Sequence, residues 1–197
     1  MSLPRAILLL GPTGSGKTPL GEMLAARGLA GRPCVHFDFG DRLRRIAAGA
    51  LDVAGLTEAD RAFLVDVLER GALLEDEDFA IAEKILRAFI EEQATGPGEP
   101  ATGCRLPATV VLNGLPRHTG QAEAADRIVE VRTVVELSAA PEVVLARLAG
   151  NPAGDRTGRA DDDPALVARK LETYAARTAL LVEHYRRRGA GVLCLPV

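Results

Sequence analysis

Short apolar runs alternate with amphipathic segments along this chain. Five runs have the character of strands covered on both faces, at residues 6–10, 34–39, 109–112, 132–137 and 191–197. The segments between them have helical spacing, at 19–27, 41–50, 56–70, within 71–93, from Pro141 and from Pro164. Strands that alternate with helices predict a parallel sheet with helices on both faces.

Two of the predicted helices carry clear apolar faces. The first, within 71–93, places five apolar residues on one side: Phe79, Ala82, Ile85, Leu86 and Phe89. The second is predicted as one long helix that opens at Pro164 with Asp163 as its N-cap. Its apolar stripe consists of Val167, Leu171, Tyr174, Leu181 and Tyr185. Two stretches rich in Gly, Pro or polar residues, 94–107 and 151–163, are predicted as loops.

The first apolar run leads directly into a glycine-rich loop, GPTGSGKT at 11–18, which matches the phosphate-binding pattern G-x-x-x-x-G-K-[ST]. The glycines allow backbone N–H groups to surround a phosphate, and the helix that follows adds a positive partial charge. Lys17 is expected to reach the outer phosphates and Thr18 to offer its hydroxyl to Mg²⁺. The loop therefore predicts a bound nucleoside triphosphate, without saying where a phosphoryl group goes.

Composition narrows the class of protein. A chain of 197 residues with 47% hydrophobic and 26% charged residues suits one globular domain. The net charge of −3 gives no basic field for nucleic acid, and no apolar stretch is long enough to span a membrane. Three widely spaced cysteines, Cys34, Cys104 and Cys194, argue against a disulfide framework and fit a reducing cytoplasm.

Four further motifs follow the glycine loop in a fixed order. They are GDRLRR at 40–45, ERGALLEDE at 69–77, NGLPRHTGQ at 113–121 and GRADDDPALVARKLETY at 158–174. Each is weak by itself, but in this order the chain resembles the adenylate kinase family of nucleoside monophosphate kinases, in its short-lid form, over nearly its whole length. The resemblance implies a P-loop NTPase three-layer α/β fold with a five-stranded parallel sheet.

The same resemblance implies a division of the chain. One nucleoside monophosphate kinase domain spans 1–197, with a core of 1–38, 108–150 and 164–197. A helical acceptor-binding insertion occupies about 39–95 and a short lid about 151–163. A monomer that takes ATP, with Mg²⁺, and a nucleoside monophosphate is expected.

On the acceptor side, Arg44 and Arg117 resemble the two arginines that grip the acceptor phosphate. Forked guanidinium groups suit a phosphate dianion, and the turn at Gly114 and Pro116 restrains Arg117, whereas Arg44 alone also fits a solvated helix face. The remaining acceptor-side positions implied by the resemblance are Gln121, which reads the base, Asp41 beside the site, and Leu73 and Leu74, which line the base pocket.

On the ATP side, the resemblance implies a further set of contacts. ATP would be bound by the loop residues Gly11, Gly14, Ser15, Gly16, Lys17 and Thr18. Arg147 resembles the arginine that stacks on the donor adenine, and Arg159, in RADD with Asp161 and Asp162, resembles the lid arginine that neutralises the phosphoryl group in flight. Arg156 is a substitute for a second lid arginine, and Lys170 is a cation beside the phosphates. Lys17, Arg117, Arg159 and Lys170 form the expected catalytic set.

Four positions depart from the family pattern. Asn113 replaces the aspartate that holds Mg²⁺ through water, and a neutral amide attracts a cation less strongly. Phe39 replaces a Thr or Ser against the acceptor base, so it offers stacking without a hydrogen bond. Asn151 replaces a lid arginine, and Lys170 replaces an arginine, keeping the charge but losing the fork. Two insertions, around 50–58 and 94–107, enlarge the acceptor side.

The sequence thus predicts a phosphotransferase that moves the γ-phosphoryl group of ATP to a nucleoside monophosphate, with AMP favoured. Phe39 and the insertions keep open another acceptor, such as CMP, UMP or a modified nucleotide. Asn113 and Asn151 keep open a protein of another class, an ATP-binding regulator with little turnover.

Overall fold

The computed structural model describes residues 3–95, 108–150 and 164–197. A single five-stranded sheet forms its centre, with strand order β2-β3-β1-β4-β5 and every described pair parallel. Helices cover this sheet, and the predicted P-loop α/β fold is confirmed. The strands are β1 (Arg5–Leu10), β2 (Cys34–Asp38), β3 (Thr109–Asn113), β4 (Glu130–Ser138) and β5 (Gly191–Pro196).

The helices occur in the order that the sequence pattern predicts, with one short addition. They are α1 (Lys17–Arg27), α2 (Phe39–Ala47), α3 (Glu58–Glu69), α4 (Phe79–Thr95), α5 (Thr119–Ala125), α6 (Pro141–Gly150), α7 (Pro164–Thr173) and α8 (Leu180–Arg187). The addition is α5, which is too short to show a helical period. Asp163, the expected N-cap of α7, lies outside the described residues.

Alternation along β1 divides the core into two layers. Ile7 and Leu9 face one side, where Leu20 and Leu24 of α1 pack against them. Leu8 belongs to the larger cluster on the other side of the sheet, which includes residues of α4, α5 and α8. Because β1 is buried on both faces, its run of apolar residues without alternation is explained.

The long helix predicted from Pro164 is interrupted. Between α7 and α8 the chain forms a π-helical turn, Tyr174–Thr178. Leu181 and Tyr185 of the predicted stripe are fully buried beyond this turn, and Val167 is buried before it. Single π turns inside helices are rare and often occur at functional sites.

The predicted end of β2 is wrong by one residue, for a local reason. The pattern placed Phe39 in the strand, but β2 ends at Asp38 and Phe39 begins α2. The Asp38 side chain caps this helix, since its Oδ1 accepts a hydrogen bond of 2.9 Å from the backbone N–H of Asp41. An aspartate at the N-cap favours a helix start, and here it overrides the apolar run.

Parallel strands bring their carboxyl ends to one edge of the sheet. In register, Asn113 at the end of β3 lies beside Leu9 of β1 and beside Asp38 at the end of β2. The glycine loop begins directly after β1, at Gly11. The loop and both polar strand ends therefore meet at the edge where ligands bind in such sheets.

The helices of the expected insertion pack in two different ways. α2 and α3 pack against each other, whereas α4 packs against β2 and α5. The ring centroids of Phe89 in α4 and Phe37 in β2 are 5.1 Å apart. Within the expected insertion of 39–95, α4 thus contributes to the core of the sheet. No helix in the described ranges is long and apolar enough to cross a membrane.

Candidate functional site

One cleft of about 630 Å³ opens at the carboxyl edge of the sheet. Its wall includes the glycine loop, the turn after β3, the start of α2 and the segment after α3, together with residues of α6, α7 and the π turn. Most site residues expected from the sequence line it: Gly11, Gly14, Gly16, Lys17, Thr18, Arg44, Leu73, Leu74, Arg117, Gln121, Arg147 and Lys170. Residues far apart in sequence are thereby brought together around a space that suits a nucleotide.

Backbone geometry explains two of the loop glycines. Gly11 has a φ of 148°, and a Cβ on it would lie 2.7 Å from the carbonyl oxygen of Leu137. Gly16, the N-cap of α1, has a φ of 95°, which disfavours an L side chain. The side chain of Ser15, in contrast, is buried within the loop. The loop therefore needs glycine for its path as well as for access to a ligand.

Lys17 is held against the loop that precedes it. Its Nζ donates hydrogen bonds to the carbonyl oxygens of Gly11, at 2.8 Å, and Pro12, at 2.7 Å. Arg147 approaches the same loop from α6, and its Nη1 donates to the carbonyl oxygen of Ser15 at 3.4 Å. Both cations thus border the loop in which N–H groups would surround a phosphate.

A polar cluster lies where β2, β3 and α1 meet. The hydroxyl of Thr18 donates to Oδ2 of Asp38 at 2.7 Å. The amide nitrogen of Asn113 donates to the same Oδ2 at 2.8 Å and to the Thr18 hydroxyl oxygen at 3.0 Å. Asp38 and Asn113 both line the cleft. Asp38 is not among the expected site residues, because its apolar surroundings in sequence are those of a strand interior.

The turn after β3 fixes Arg117 at three points. Gly114 has a φ of 84°, and the Leu115–Pro116 peptide bond is cis. The Nε of Arg117 donates to the Gly114 carbonyl oxygen at 3.1 Å, and the Arg117 carbonyl oxygen accepts a hydrogen bond of 2.8 Å from Thr178. Its backbone N–H donates to Oε1 of Gln121 at 2.9 Å. The side chain is thus oriented before any ligand arrives.

The Gln121 side chain links two backbone groups, a role that its position in the sequence motif does not indicate. The residue is only 2% exposed. Besides accepting from Arg117, its amide donates from Nε2 to the Leu74 carbonyl oxygen at 2.7 Å. Both ends of the amide are therefore bound to backbone, and Gln121 ties the Arg117 turn to the segment after α3.

We expect Gln121→Leu to destabilise the fold by about 2–4 kcal/mol, because it leaves the Arg117 N–H and the Leu74 carbonyl without their buried partner. Urea unfolding measures the difference, with Gln93→Leu on the exposed side of α4 as the matched control. A loss no larger than that of the control would show that the two hydrogen bonds contribute nothing to stability.

The other residues expected on the acceptor side differ in whether they line the cleft. Arg44 lines it, with a guanidinium nitrogen 3.9 Å from the Asp41 carboxylate, whereas Asp41 itself is exposed and does not line it. Leu74 is buried and Leu73 half-buried. Phe39 also lines the cleft, and its ring stacks on Phe37 with 6.1 Å between centroids. An apolar wall thus lies beside a cation.

Residues of the π turn also line the cleft, and one of them, Arg177, is not singled out by the sequence pattern. Arg177 lines the cleft and donates two hydrogen bonds to the Glu75 carboxylate, at 2.8 and 2.6 Å. Hydrogen bonding to Arg177 lowers the pKa of Glu75, against a smaller effect of burial. Tyr174 donates its hydroxyl to Glu136 at 3.3 Å, and burial is the main cause that raises its pKa. Tyr174 and Arg177, three residues apart, thus lie on the side of the helix that faces the cleft.

The expected lid residues and the cations of α7 complete the set predicted from the sequence. Arg156 and Arg159, with Asn151, Asp161 and Asp162, lie outside the described residues. Lys170 of α7 lines the cleft, as does its neighbour Arg169. Within the described part of the chain, no group of three or more His, Cys, Asp or Glu side chains could hold a metal ion by itself.

Comparison with known proteins gives a consistent set of relatives. The adenylate kinase of Stenotrophomonas maltophilia strain K279a is 33% identical over 189 residues, which cover 93% of this chain and 86% of that protein. The adenylate kinase of Xanthomonas campestris pv. campestris strain 8004 gives the same identity and coverage. That of Hyphomonas neptunium is 31% identical over 193 residues, with 93% and 85% covered. No protein-family model matches the chain.

Proposed function

This chain belongs to the adenylate kinase family, and on that premise we propose that it transfers the γ-phosphoryl group of ATP to AMP and so forms two ADP. One observation carries the proposal. A single cleft joins a phosphate-binding loop to two arginines and an apolar wall on its other side. A donor and an acceptor can therefore lie in one space with their phosphates facing each other.

The ATP side is formed by the glycine loop. Its backbone N–H groups and the start of α1 bind the β- and γ-phosphates, and Lys17 turns from the loop carbonyls to the outer phosphates when they arrive. Arg147, already beside Ser15, lies where it can contact the donor nucleotide. Arg156, Arg159 and Lys170 complete the positive charge around the phosphoryl group.

On the acceptor side, Arg44 and Arg117 grip the phosphate of AMP. Their forked donors suit a dianion, and Arg117 loses little freedom because its backbone and Nε are already held. Leu73, Leu74 and Phe39 form the apolar wall for the base. Gln121 contributes by fixing the Leu74 carbonyl, and Asp41 contributes through its ion pair with Arg44.

Mg²⁺ is the expected companion of ATP. The chemistry of the loop fits it, since the Thr18 hydroxyl is a hard oxygen donor and a carboxylate oxygen lies 2.7 Å away. Bound to ATP, the ion would neutralise charge on the outer phosphates. The protein contributes positioning and charge, with no covalent intermediate and no general base.

The division into core, insertion and lid is part of the proposal. Within 39–95, the segment that receives AMP is α2, α3 and the loop that follows them, because α4 packs on the sheet. Residues 151–163 serve as the lid over the phosphates. Exclusion of water by both parts would protect ATP from hydrolysis. The enzyme acts as a monomer in the cytoplasm, a compartment that suits the free thiols of Cys34 and Cys194.

An acceptor panel tests this function. Purified enzyme with ATP and Mg²⁺ is given AMP, CMP, UMP, GMP or dAMP in turn, and diphosphate formation is measured as kcat/KM. We expect AMP to give the highest value. A higher value with CMP or UMP would move the assignment to another acceptor, which Phe39 in the cleft would then explain. No turnover with any of them would leave an ATP-binding regulator.

A further inference from the structure

A carboxylate lies beside the Thr18 hydroxyl, but it comes from β2 and not from β3. We propose that Asp38 is the carboxylate that positions Mg²⁺ at this site, in place of an acidic residue at position 113. This inference rests on the proposed function, because it concerns the metal that accompanies ATP. It assigns to Asp38 the role of the metal-positioning carboxylate, for which the sequence motifs provide no residue.

The position of Asp38 is set by the sheet. Asp38 and Asn113 are register partners at the carboxyl ends of adjacent parallel strands. Their side chains meet directly, with Asn113 Nδ2 at 2.8 Å from Asp38 Oδ2. A carboxylate at the end of either strand would therefore lie close to the same point in the cleft.

The hydrogen bond from Thr18 to Asp38 leaves the Thr18 hydroxyl oxygen able to bind a metal ion. The hydroxyl of Thr18 donates its proton to Oδ2 of Asp38 at 2.7 Å. With its proton held in this way, the hydroxyl oxygen has a lone pair left to offer to a cation. Phosphate-binding loops commonly hold Mg²⁺ with the loop Ser or Thr and a nearby aspartate, and here the structure places Asp38 in that relation to Thr18.

The amide at position 113 follows from the same contact. If residue 113 were also an aspartate, two carboxylates would lie within hydrogen-bonding distance, and like charges this close cannot both stay ionised easily. Asn113 instead donates a hydrogen bond to Oδ2 of Asp38 and brings no second carboxylate to the cluster. Residues 38 and 113 thus supply one carboxylate between them, that of Asp38.

Asp38 also has a structural role, and the two roles use different atoms. Its Oδ1 caps α2 through the N–H of Asp41, while Oδ2 meets Thr18 and Asn113. Asparagine and serine cap helices about as well as aspartate does. Substitution by either residue thus removes the charge and preserves the cap, which separates metal positioning from folding.

The test measures metal affinity without turnover. Mn²⁺ replaces Mg²⁺, and electron paramagnetic resonance of free Mn²⁺ gives its dissociation constant from the protein–ATP complex, with no AMP present. We expect Asp38→Asn to raise this constant at least tenfold relative to the native protein, since loss of a metal-supporting group commonly weakens affinity 10–100-fold. Binding of ATP in the presence of EDTA should not weaken by more than about threefold, because the carboxylate by itself makes no attractive contact with the phosphates.

A charge-swapped variant provides the rescue. Asp38→Asn combined with Asn113→Asp returns one carboxylate to the cluster, and its Mn²⁺ constant should return to within about threefold of the native value, well short of the single-variant loss. Glu22→Gln, an exposed carboxylate on α1 outside the cleft, is the matched control and should change nothing. If Asp38→Asn does not fold, as judged by thermal unfolding, Asp38→Ser takes its place.

Two results would overturn the proposal: native-like Mn²⁺ affinity in the folded Asp38 variant, or no recovery in the charge-swapped variant. Neither depends on transfer to AMP. A protein that binds Mn²⁺ and ATP through Asp38 but phosphorylates no nucleotide would refute the proposed function alone. If the protein phosphorylated AMP but its Mn²⁺ affinity did not depend on the charge at position 38, this inference alone would be refuted.

Discussion

Replacing Arg117 by alanine is expected to slow transfer to AMP about a thousandfold while ATP binding changes little. Removal of one oriented donor from a charged transition state commonly reduces kcat by about 10²–10³. The upper end applies here because Arg117 is already held by Gly114, Gln121 and Thr178 and acts on the acceptor phosphate with little reorganisation. Steady-state kinetics with AMP and calorimetric titration with ATP measure the two effects.

Two further arginine variants sharpen this test. Arg117→Lys keeps the charge and loses the forked geometry, so we expect it to recover only part of the loss. Arg127→Ala, an exposed arginine after α5, should behave as the native enzyme does. If Arg117→Ala weakened ATP binding as much as it slowed transfer, the residue would belong to the donor side and the acceptor role would be wrong.

Replacing Lys17 by alanine should reduce kcat by a similar factor of about a thousand, but with a different signature. Lys17 belongs to the ATP side, where it lies against the loop carbonyls of Gly11 and Pro12. Its charge helps in the ground state as well as in the transition state, so ATP affinity should also fall, by about tenfold. A loss of ATP affinity in Lys17→Ala but not in Arg117→Ala would distinguish the ATP side of the cleft from its acceptor side.

Lys84→Ala is the matched control for Lys17. Lys84 is on α4, outside the cleft, and its ammonium group pairs with Asp60 at 3.1 Å. A partly exposed ion pair of this kind contributes little to stability, and no effect on kcat is expected. If Lys17→Ala kept the native kcat, the proposed role of the glycine loop in phosphoryl transfer would be wrong.

The glycine loop shows how much the sequence can predict when local rules agree. An apolar strand, a loop with a required glycine spacing and a helix follow one another within residues 5–27, and each part is specified by neighbours in sequence. The structure has the same order, with β1 ending at Leu10 and α1 beginning at Lys17. The strand–helix alternation likewise predicts the parallel sheet, since each connection has the length that parallel strands need.

Asp38 shows what the sequence pattern hides. Its neighbours Phe37 and Phe39 favour a strand, and the motif that follows draws attention to Asp41 and Arg44 instead. The spacing from Asp38 to Asp41 resembles that of a helix N-cap followed by an acidic residue at N3, and it is the one local signal available. The contact with Asn113 depends on the register of two strands that are 75 residues apart, which no local pattern encodes.

Gln121 and Arg177 each make a contact that the sequence does not predict. Gln121 is in a motif that suggests contact with a base, and its amide also binds the Leu74 carbonyl oxygen, which lies 47 residues away in sequence. Arg177 lies on the same helical face as Lys170 and Tyr174, but its partner Glu75 is 102 residues away in sequence. Sequence periodicity places a residue on a helix face and does not identify its partner on another element.

The most direct measurement of the central claim starts from ADP alone. Enzyme, ADP and Mg²⁺ are mixed, and ³¹P nuclear magnetic resonance follows the phosphates over time. Transfer between two bound nucleotides predicts that ADP disappears while ATP and AMP appear in equal amounts, until all three coexist. Persistence of ADP, or its conversion to AMP and inorganic phosphate, would contradict the account.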